Sequence, residues 1–285
     1  MMRDVPGRRL TVYGNEIYLE ESGSGDTCVV FESGNGAGRT LWDPVVPLLR
    51  DIARTVAYDR AGRGRSGRAE PPPSIDDMAA TLVALVKALA PSRVILVGHS
   101  MGGLIVRRAA EELSPRPAGL VLVDPTPESA PFYADWAATA SKTDRILAVE
   151  QAAAHCRPLM RMLTRSYGRM FSPDTYGTML AEDFTPAGIA QTRRELLAFA
   201  TGVGEFRSRP PRPPECDVIV ISATRANRLQ ARNHDTIRDY QRRYAEQVGW
   251  QFEDADSEHI VPAEQPGQVA AVIRLLASAE PRDHC

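Results

Sequence analysis

The 285-residue sequence is short of several things, and each shortage removes a class of function. No apolar run approaches the roughly 20 residues that a membrane-spanning helix needs, so no span is expected. The opening stretch from Met1 to Leu10 lacks the apolar core of a signal peptide. Secretion by that route is therefore not expected, and the cytoplasm is the expected compartment. The four cysteines, Cys28, Cys156, Cys216 and Cys285, lie far apart with no C-x-x-C pair, which fits neither a zinc site nor a disulfide framework; they read as thiols. An excess of positive charge is missing too. With 34 basic and 36 acidic residues the formal charge is −2, and no tail of like charge is present. Binding to a polyanion draws on accumulated positive charge, so nucleic acid is not an expected partner. Lysine is nearly absent, at Lys87 and Lys142 only, and arginine carries the rest of the positive charge.

What remains is a globular composition, 43% hydrophobic and 25% charged. Length permits one large domain or two small ones, so the order of segments must decide. Leu10–Tyr13 and Glu16–Glu20 flank Gly14-Asn15 and read as two strands joined by a tight turn. Cys28–Phe31 is a short apolar strand running into the glycine-rich Ser33-Gly34-Asn35-Gly36. Trp42–Arg50 has helical spacing, and Arg54–Tyr58 reads as another strand. Ser74 can cap a helix, with Asp77 completing a capping-box-like pair and Leu82, Leu85, Val86 and Leu89 on one face. Val94–Val97, a helix over Met101–Leu113 and the strand Leu120–Val123 follow.

Strands apolar on both faces, alternating with helices, indicate a mostly parallel sheet covered on both sides. The alternation stops from Pro127 to about Pro214, where only helical patches appear. It resumes with Val218–Ile221, a helix near Asp235–Val248, a strand near Gln251–Asp254 and a last helix from Gln265. An α/β core of residues 1–126 and 215–285, with residues 127–214 inserted as a helical cap, is the expected organisation.

The chemistry concentrates in Gly98-His99-Ser100-Met101-Gly102, a G-x-S-x-G between a strand and a helix. A serine on so sharp a turn sits in strained backbone, and side chains two positions away on either side would clash, so glycine is needed at 98 and 102. The hydroxyl of Ser100 is pushed out above the sheet as a candidate nucleophile. Unpaired N–H groups at the helix start favour an oxyanion there, and the Met101 N–H is the expected donor.

On these residues the chain resembles the serine-hydrolase branch of the α/β-hydrolase fold family. The resemblance covers almost everything outside the cap. The family's H-G-x-G loop is matched by Ser33-Gly34-Asn35-Gly36, with serine in place of histidine, and this implies the Asn35 N–H as second oxyanion donor. The family's D-x-x-G-x-G-x-S turn appears from Asp59 to Ser66 and reads as structural, so Ser66 is no nucleophile candidate.

A nucleophilic serine needs a base, and the fold's chain order is Ser, acid, His. His155 falls inside the cap pattern, His284 stands one residue from the end, and His234 opens a helix. His259 follows the last strand in a polar loop, where the family places its base. The acid is less determined. The loop after Val218–Ile221, where the family most often carries it, holds no carboxylate. Some relatives place the acid at the end of the strand that follows the nucleophile's helix, and Asp124 ends that strand here; Glu128, Asp235 and Asp254 stay open beside it.

Other patterns are weaker. Gly62, Gly64 and Gly67 spell G-x-G-x-x-G, but no helix starts at once, so a dinucleotide site is not expected. Arg157, Arg161, Arg165 and Arg169 recur every four residues opposite Leu159, Met160, Leu163, Tyr167 and Met170, which predicts one amphipathic helix with a solvated arginine face; recognition of an anionic substrate is the alternative. Arg225, Arg228 and Arg232 raise the same question.

These residues point to hydrolysis of an ester, thioester or lactone-type acyl bond in a small organic substrate, of carboxylesterase or thioesterase type, including a carrier- or CoA-linked one. Ser100 attacks, His259 takes the proton and Asp124 orients His259, while no metal or cofactor is required. Acyl transfer, cyclisation, C–C bond hydrolysis or a lyase reaction could use the same three residues. A non-catalytic binding protein is the reading from another class. Relatives with epoxide hydrolase or dehalogenase activity use an aspartate nucleophile, which disfavours those chemistries here.

Overall fold

The computed structural model describes residues 7–226 and 231–279. His284, Cys285, Arg228 and the Arg232 side chain, considered above, lie outside the described residues. Strand β1 (Arg8–Val12) turns through Tyr13 and Gly14, both at positive φ, into β2 (Asn15–Ser22). The chain then runs through β3 (Thr27–Glu32), β4 (Arg54–Tyr58), α1 (Ile75–Leu89), β5 (Arg93–His99), α2 (Met101–Glu112) and β6 (Gly119–Val123). Five helices separate β6 from the next strand: α3 (Trp136–Ala153), α4 (Arg157–Leu163), α5 (Tyr167–Met170), α6 (Pro173–Glu182) and α7 (Pro186–Ser208). The chain closes with β7 (Asp217–Ala223), α8 (Ala231–Val248), β8 (Gln251–Ala255), α9 (Val261–Glu264) and α10 (Pro266–Ser278).

The strands form one sheet in the order β1-β2-β4-β3-β5-β6-β7-β8. Pairing is antiparallel at β1–β2 and β2–β4 and parallel from β4 to β8. The parallel strands have Val, Ile and Leu on both faces because helices cover both sides. One apolar cluster unites Val30, Leu96 and Leu122 with α1 and α2, and the other unites Val29, Val97, Val121 and Ile221 with α10. Phe199, Val203 and Phe206 place the second half of α7 in the first of these clusters.

Two local expectations need correction. Trp42–Arg50 is not a helix but two short 3-10 turns, Arg39–Trp42 and Val46–Leu49, because Pro47 cannot donate the backbone hydrogen bond to Asp43 that an α-helix requires there. The arginine stripe is likewise not on one helix. Thr164 is buried, its hydroxyl donates to the Met160 carbonyl at 2.7 Å and meets the Tyr176 hydroxyl, and the helix breaks there between α4 and α5. Arg157, Arg161, Arg165 and Arg169 are all exposed.

The capping box of α1 is formed as the sequence indicated, with Ser74 and Asp77 bonding each other's backbone N–H. A buried ionic group that the sequence did not signal ties α7 to the sheet. Arg60 and Arg63, from the turn after β4, both reach Glu195 of α7, and Arg60 also pairs with Glu32 at 2.6 Å. These groups are between 0% and 4% exposed. Burial opposes ionisation of Glu195, but the two guanidiniums outweigh it and hold its carboxyl down to about 2. Removing one partner of such a group strands buried charge. Glu195→Leu should therefore cost roughly 3–5 kcal/mol in urea unfolding, and a loss below about 1 kcal/mol would show that Arg60 and Arg63 are not held by Glu195.

Candidate active site

The crossing of β5 into α2 fixes the centre of the site. A Cβ on Gly98 would stand 2.5 Å from the Gly102 carbonyl oxygen, and one on Gly102 would stand 2.6 Å from that of Glu32. Backbone therefore packs on backbone, and Ser100 between them takes φ 54° and ψ −120°, a region costly for any residue with a side chain. Hydrogen bonds hold the strained residue: its N–H donates to Val123 O at 3.0 Å, and its carbonyl accepts from Gly103 and Thr126. The Ser100 side chain is half-buried at the carboxyl end of the sheet.

Asp124 follows β6 and also has a positive φ, 41°. Its Oδ2 meets Nδ1 of His259 at 2.6 Å, and since a carboxylate only accepts, Nδ1 is the donor of that bond. Its Oδ1 accepts from Gln241 Nε2 at 3.1 Å and from the Ala223 N–H at 3.3 Å. Burial opposes ionisation of Asp124, but the bonds from His259 and Gln241 outweigh it and hold the carboxyl below its usual range.

The three other carboxylates left open by the sequence are engaged elsewhere. Glu128 makes a two-pronged pair with Arg107, Asp254 pairs with Arg238 and Arg242, and Asp235 is fully exposed beside His234. His155 is exposed, and His234 Nε2 contacts the Ala223 carbonyl.

Met101 opens α2 directly behind Ser100, and the Ser33–Gly36 turn lies over it: a Cβ on Gly34 would stand 3.1 Å from that of Ser100. Neither the Met101 N–H nor the Asn35 N–H has a hydrogen-bond partner among the described residues. The turn is clamped from below, since Arg60 donates to the carbonyls of Ser33 and Gly34 while the Gly36 N–H donates to Glu195.

Two side chains were missed in the sequence. His99 is 3% exposed, and its Nε2 donates to the His259 carbonyl at 2.8 Å. Burial, with a smaller contribution from His259, pushes its ring down to about 3, so it stays neutral. Gln241 also donates to the Pro125 carbonyl, while its own oxygen accepts from Ser222. A signal for Gln241 existed: it shares a helical face with Ile237, Tyr244, Ala245 and Val248, and a polar residue in an apolar stripe must find partners.

Two cavities meet at Ser100 and His259. One, of about 280 Å³, is walled by Phe132, Tyr133 and Trp136, with Arg225 and Arg238 at its edge. Arg225 is already paired with Asp256 and Glu264. The other, of about 350 Å³, runs past Asn35 to Tyr167, Asp183 and Phe184. A further cavity of about 470 Å³ opens at the opposite ends of β5, β6 and β7 and includes none of the candidate residues.

The sequence profile of the Alpha/beta hydrolase family matches residues 29–272. The chain belongs to that family. It is 32% identical over 109 residues to a candidate carbamate hydrolase, RutD, of Azorhizobium caulinodans, a match covering 38% of this chain and 41% of the relative. To the RutD of Variovorax paradoxus, also named a candidate carbamate hydrolase, it is 37% identical over 111 residues, 38% of this chain and 42% of the relative. These matches thus span about two fifths of the relatives' length. A solved structure described as a candidate alpha/beta hydrolase from Nostoc sp. PCC 7120 superposes with a TM-score of 0.77 at 20% identity, covering all of both chains. That likeness is one of fold. No helix among the described residues is long and apolar enough to cross a membrane.

Asp183, in the wall of the Tyr167 cavity, supplies a pH test. Burial, aided by Asp59 and Glu182 and opposed by Arg63, pushes its carboxyl up to about 7. A raised carboxyl pKa means that the folded state keeps a proton which the unfolded chain has released. Its contribution is therefore lost as pH rises from about 4 to about 7. The stability of Asp183→Asn relative to wild type should rise over that window in urea unfolding series, and a flat difference would contradict the shift.

Proposed function

We propose that the protein is a serine hydrolase of small organic esters or related acyl compounds, working through an acyl-enzyme on Ser100. The observation that carries this reading is the 2.6 Å bond between His259 Nδ1 and Asp124, beside a serine held at φ 54°. With Nδ1–H given to Asp124, His259 presents Nε2 as the base that takes the Ser100 proton as Oγ attacks the carbonyl. The N–H groups of Met101 and Asn35 receive the oxyanion. Asp124 stays ionised, keeps the tautomer and stabilises the imidazolium that forms. His259 then returns the proton to the leaving group and later activates the water that releases the acid. Gln241 positions Asp124, and His99 positions the His259 backbone.

Residues 127–214 act as a cap that shapes the two cavities around Ser100 and so sets the substrate. The RutD relatives are named for carbamates, and a carbamate presents the same attackable carbonyl. A carrier- or CoA-linked acyl group is a finer version of the same proposal.

A fluorophosphonate probe should label the wild type and leave Ser100→Ala unlabelled, while labelling that persists in the variant would remove Ser100 from the mechanism. Asp124→Asn should keep the fold but lower p-nitrophenyl acetate turnover on the order of 10³ to 10⁴-fold, because the imidazole loses its enforced tautomer. Turnover within about threefold of wild type would move the role to another carboxylate.

A further inference from the structure

The two cavities at Ser100 differ in charge. Arginines stand at the edge of the Trp136 cavity, whereas the Tyr167 cavity is lined, among the described residues, by no lysine or arginine and by two carboxylates, Asp183 and Glu150. Asp183 is 6% exposed, and its ion pair is a 3.4 Å approach of Arg63 to Oδ1, long beside the 2.6–3.0 Å contacts of Arg60 and Arg63 with Glu32 and Glu195. Two guanidiniums and two carboxylates already balance in that group, so Asp183 is a carboxyl left without a full counter-charge. Its Oδ2 has no donor among the described residues, and neither does the half-buried Glu150 carboxylate.

Both carboxylates bear on Tyr167. Burial raises the pKa of its hydroxyl first, and the charges of Asp183 and Glu150 raise it further. The Tyr167 ring meets Phe184 edge to face with centroids 5.1 Å apart, and both rings line the cavity. The same wall holds His99, almost wholly buried, whose Nδ1 lone pair has no donor among the described residues. Electron-rich ring surfaces beside carboxyl oxygens that lack a close donor are the chemistry that recognises an ammonium group. Burying the Asp183 carboxyl weakens the folded state as pH rises from about 4 to about 7, a cost that a cation seated beside it would offset.

We infer that the Tyr167 cavity holds a cationic arm of the substrate, an alkylammonium or quaternary ammonium group, seated against Tyr167 and Phe184 and neutralised by Asp183 and Glu150. The inference rests on the reading of Ser100 as nucleophile, since it assigns one arm of the compound opened there.

The test is inhibition of p-nitrophenyl acetate turnover by choline, compared with its uncharged isostere in which tert-butyl replaces trimethylammonium. Wild type should bind choline competitively and at least about tenfold more tightly than the isostere, the value of an ammonium contact in a largely desolvated site. The preference should vanish when Asp183→Asn and Glu150→Gln are combined. It should survive Glu246→Gln on the exposed face of α8. Equal or weaker inhibition by choline, or a preference that persists in the double variant, overturns the inference while the nucleophile reading stands. Absence of p-nitrophenyl acetate turnover in wild type instead sinks the Ser100 reading, and the inference with it.

Discussion

Backbone-to-backbone contact where β5 passes into α2 is the constraint on which the site depends. With 2.5 Å between a notional Gly98 Cβ and the Gly102 carbonyl, the turn has one workable path, and it leaves Ser100 in a conformation that an isolated serine avoids. The cost is local, of order 1–3 kcal/mol, and is met by a well-packed parallel sheet on one side and a buried helix on the other. The same path places the start of α2 behind the hydroxyl and the end of β6 beside it. Asp124 stands at the neighbouring strand end, itself at a positive φ of 41°. A parallel sheet delivers all its strand ends to one edge, and this is why residues distant in sequence meet there.

The second layer of organisation is ionic. Arg60 lies under the Ser33–Gly36 turn and donates to two of its carbonyls, while Glu195 of α7 reaches the turn's Gly36 N–H and both buried arginines. One helix of the β6–β7 connection is thus wired to the Ser33–Gly36 loop beside Ser100. Substrate contacts that shift α7 would be felt at that loop through charge-assisted bonds in a low-dielectric setting, where they are strong. Asp183 sits at the margin of the same group as its unbalanced member.

Much of this was legible in the sequence, for identifiable reasons. Continuous runs of Val, Ile and Leu marked the parallel strands. Gly98 and Gly102 marked the turn because no other residue fits two backbones that close. His259 stood out by following the last strand. For the carboxylate beside His259 the pattern favoured Asp124 and left Glu128, Asp235 and Asp254 open, since the two partners lie 135 positions apart and local pattern carries no such distance. The Arg60–Glu195 pairing, also 135 positions apart, was invisible for the same reason. Where local pattern misled, a specific residue overrode periodicity: Pro47 in the expected Trp42–Arg50 helix, and the buried Thr164 hydroxyl in the arginine stripe. Gln241 was readable in principle, as a polar residue within an apolar helical face.

The central claim is that Ser100 becomes covalently acylated. Its most direct test is to mix the protein with p-nitrophenyl acetate, quench with acid within the first turnover and locate the acetyl group by peptide mass spectrometry. An acetyl adduct confined to Ser100, lost on longer incubation, is the predicted result. An adduct on another residue, or nitrophenol released in a burst with Ser100 unmodified, would contradict the account.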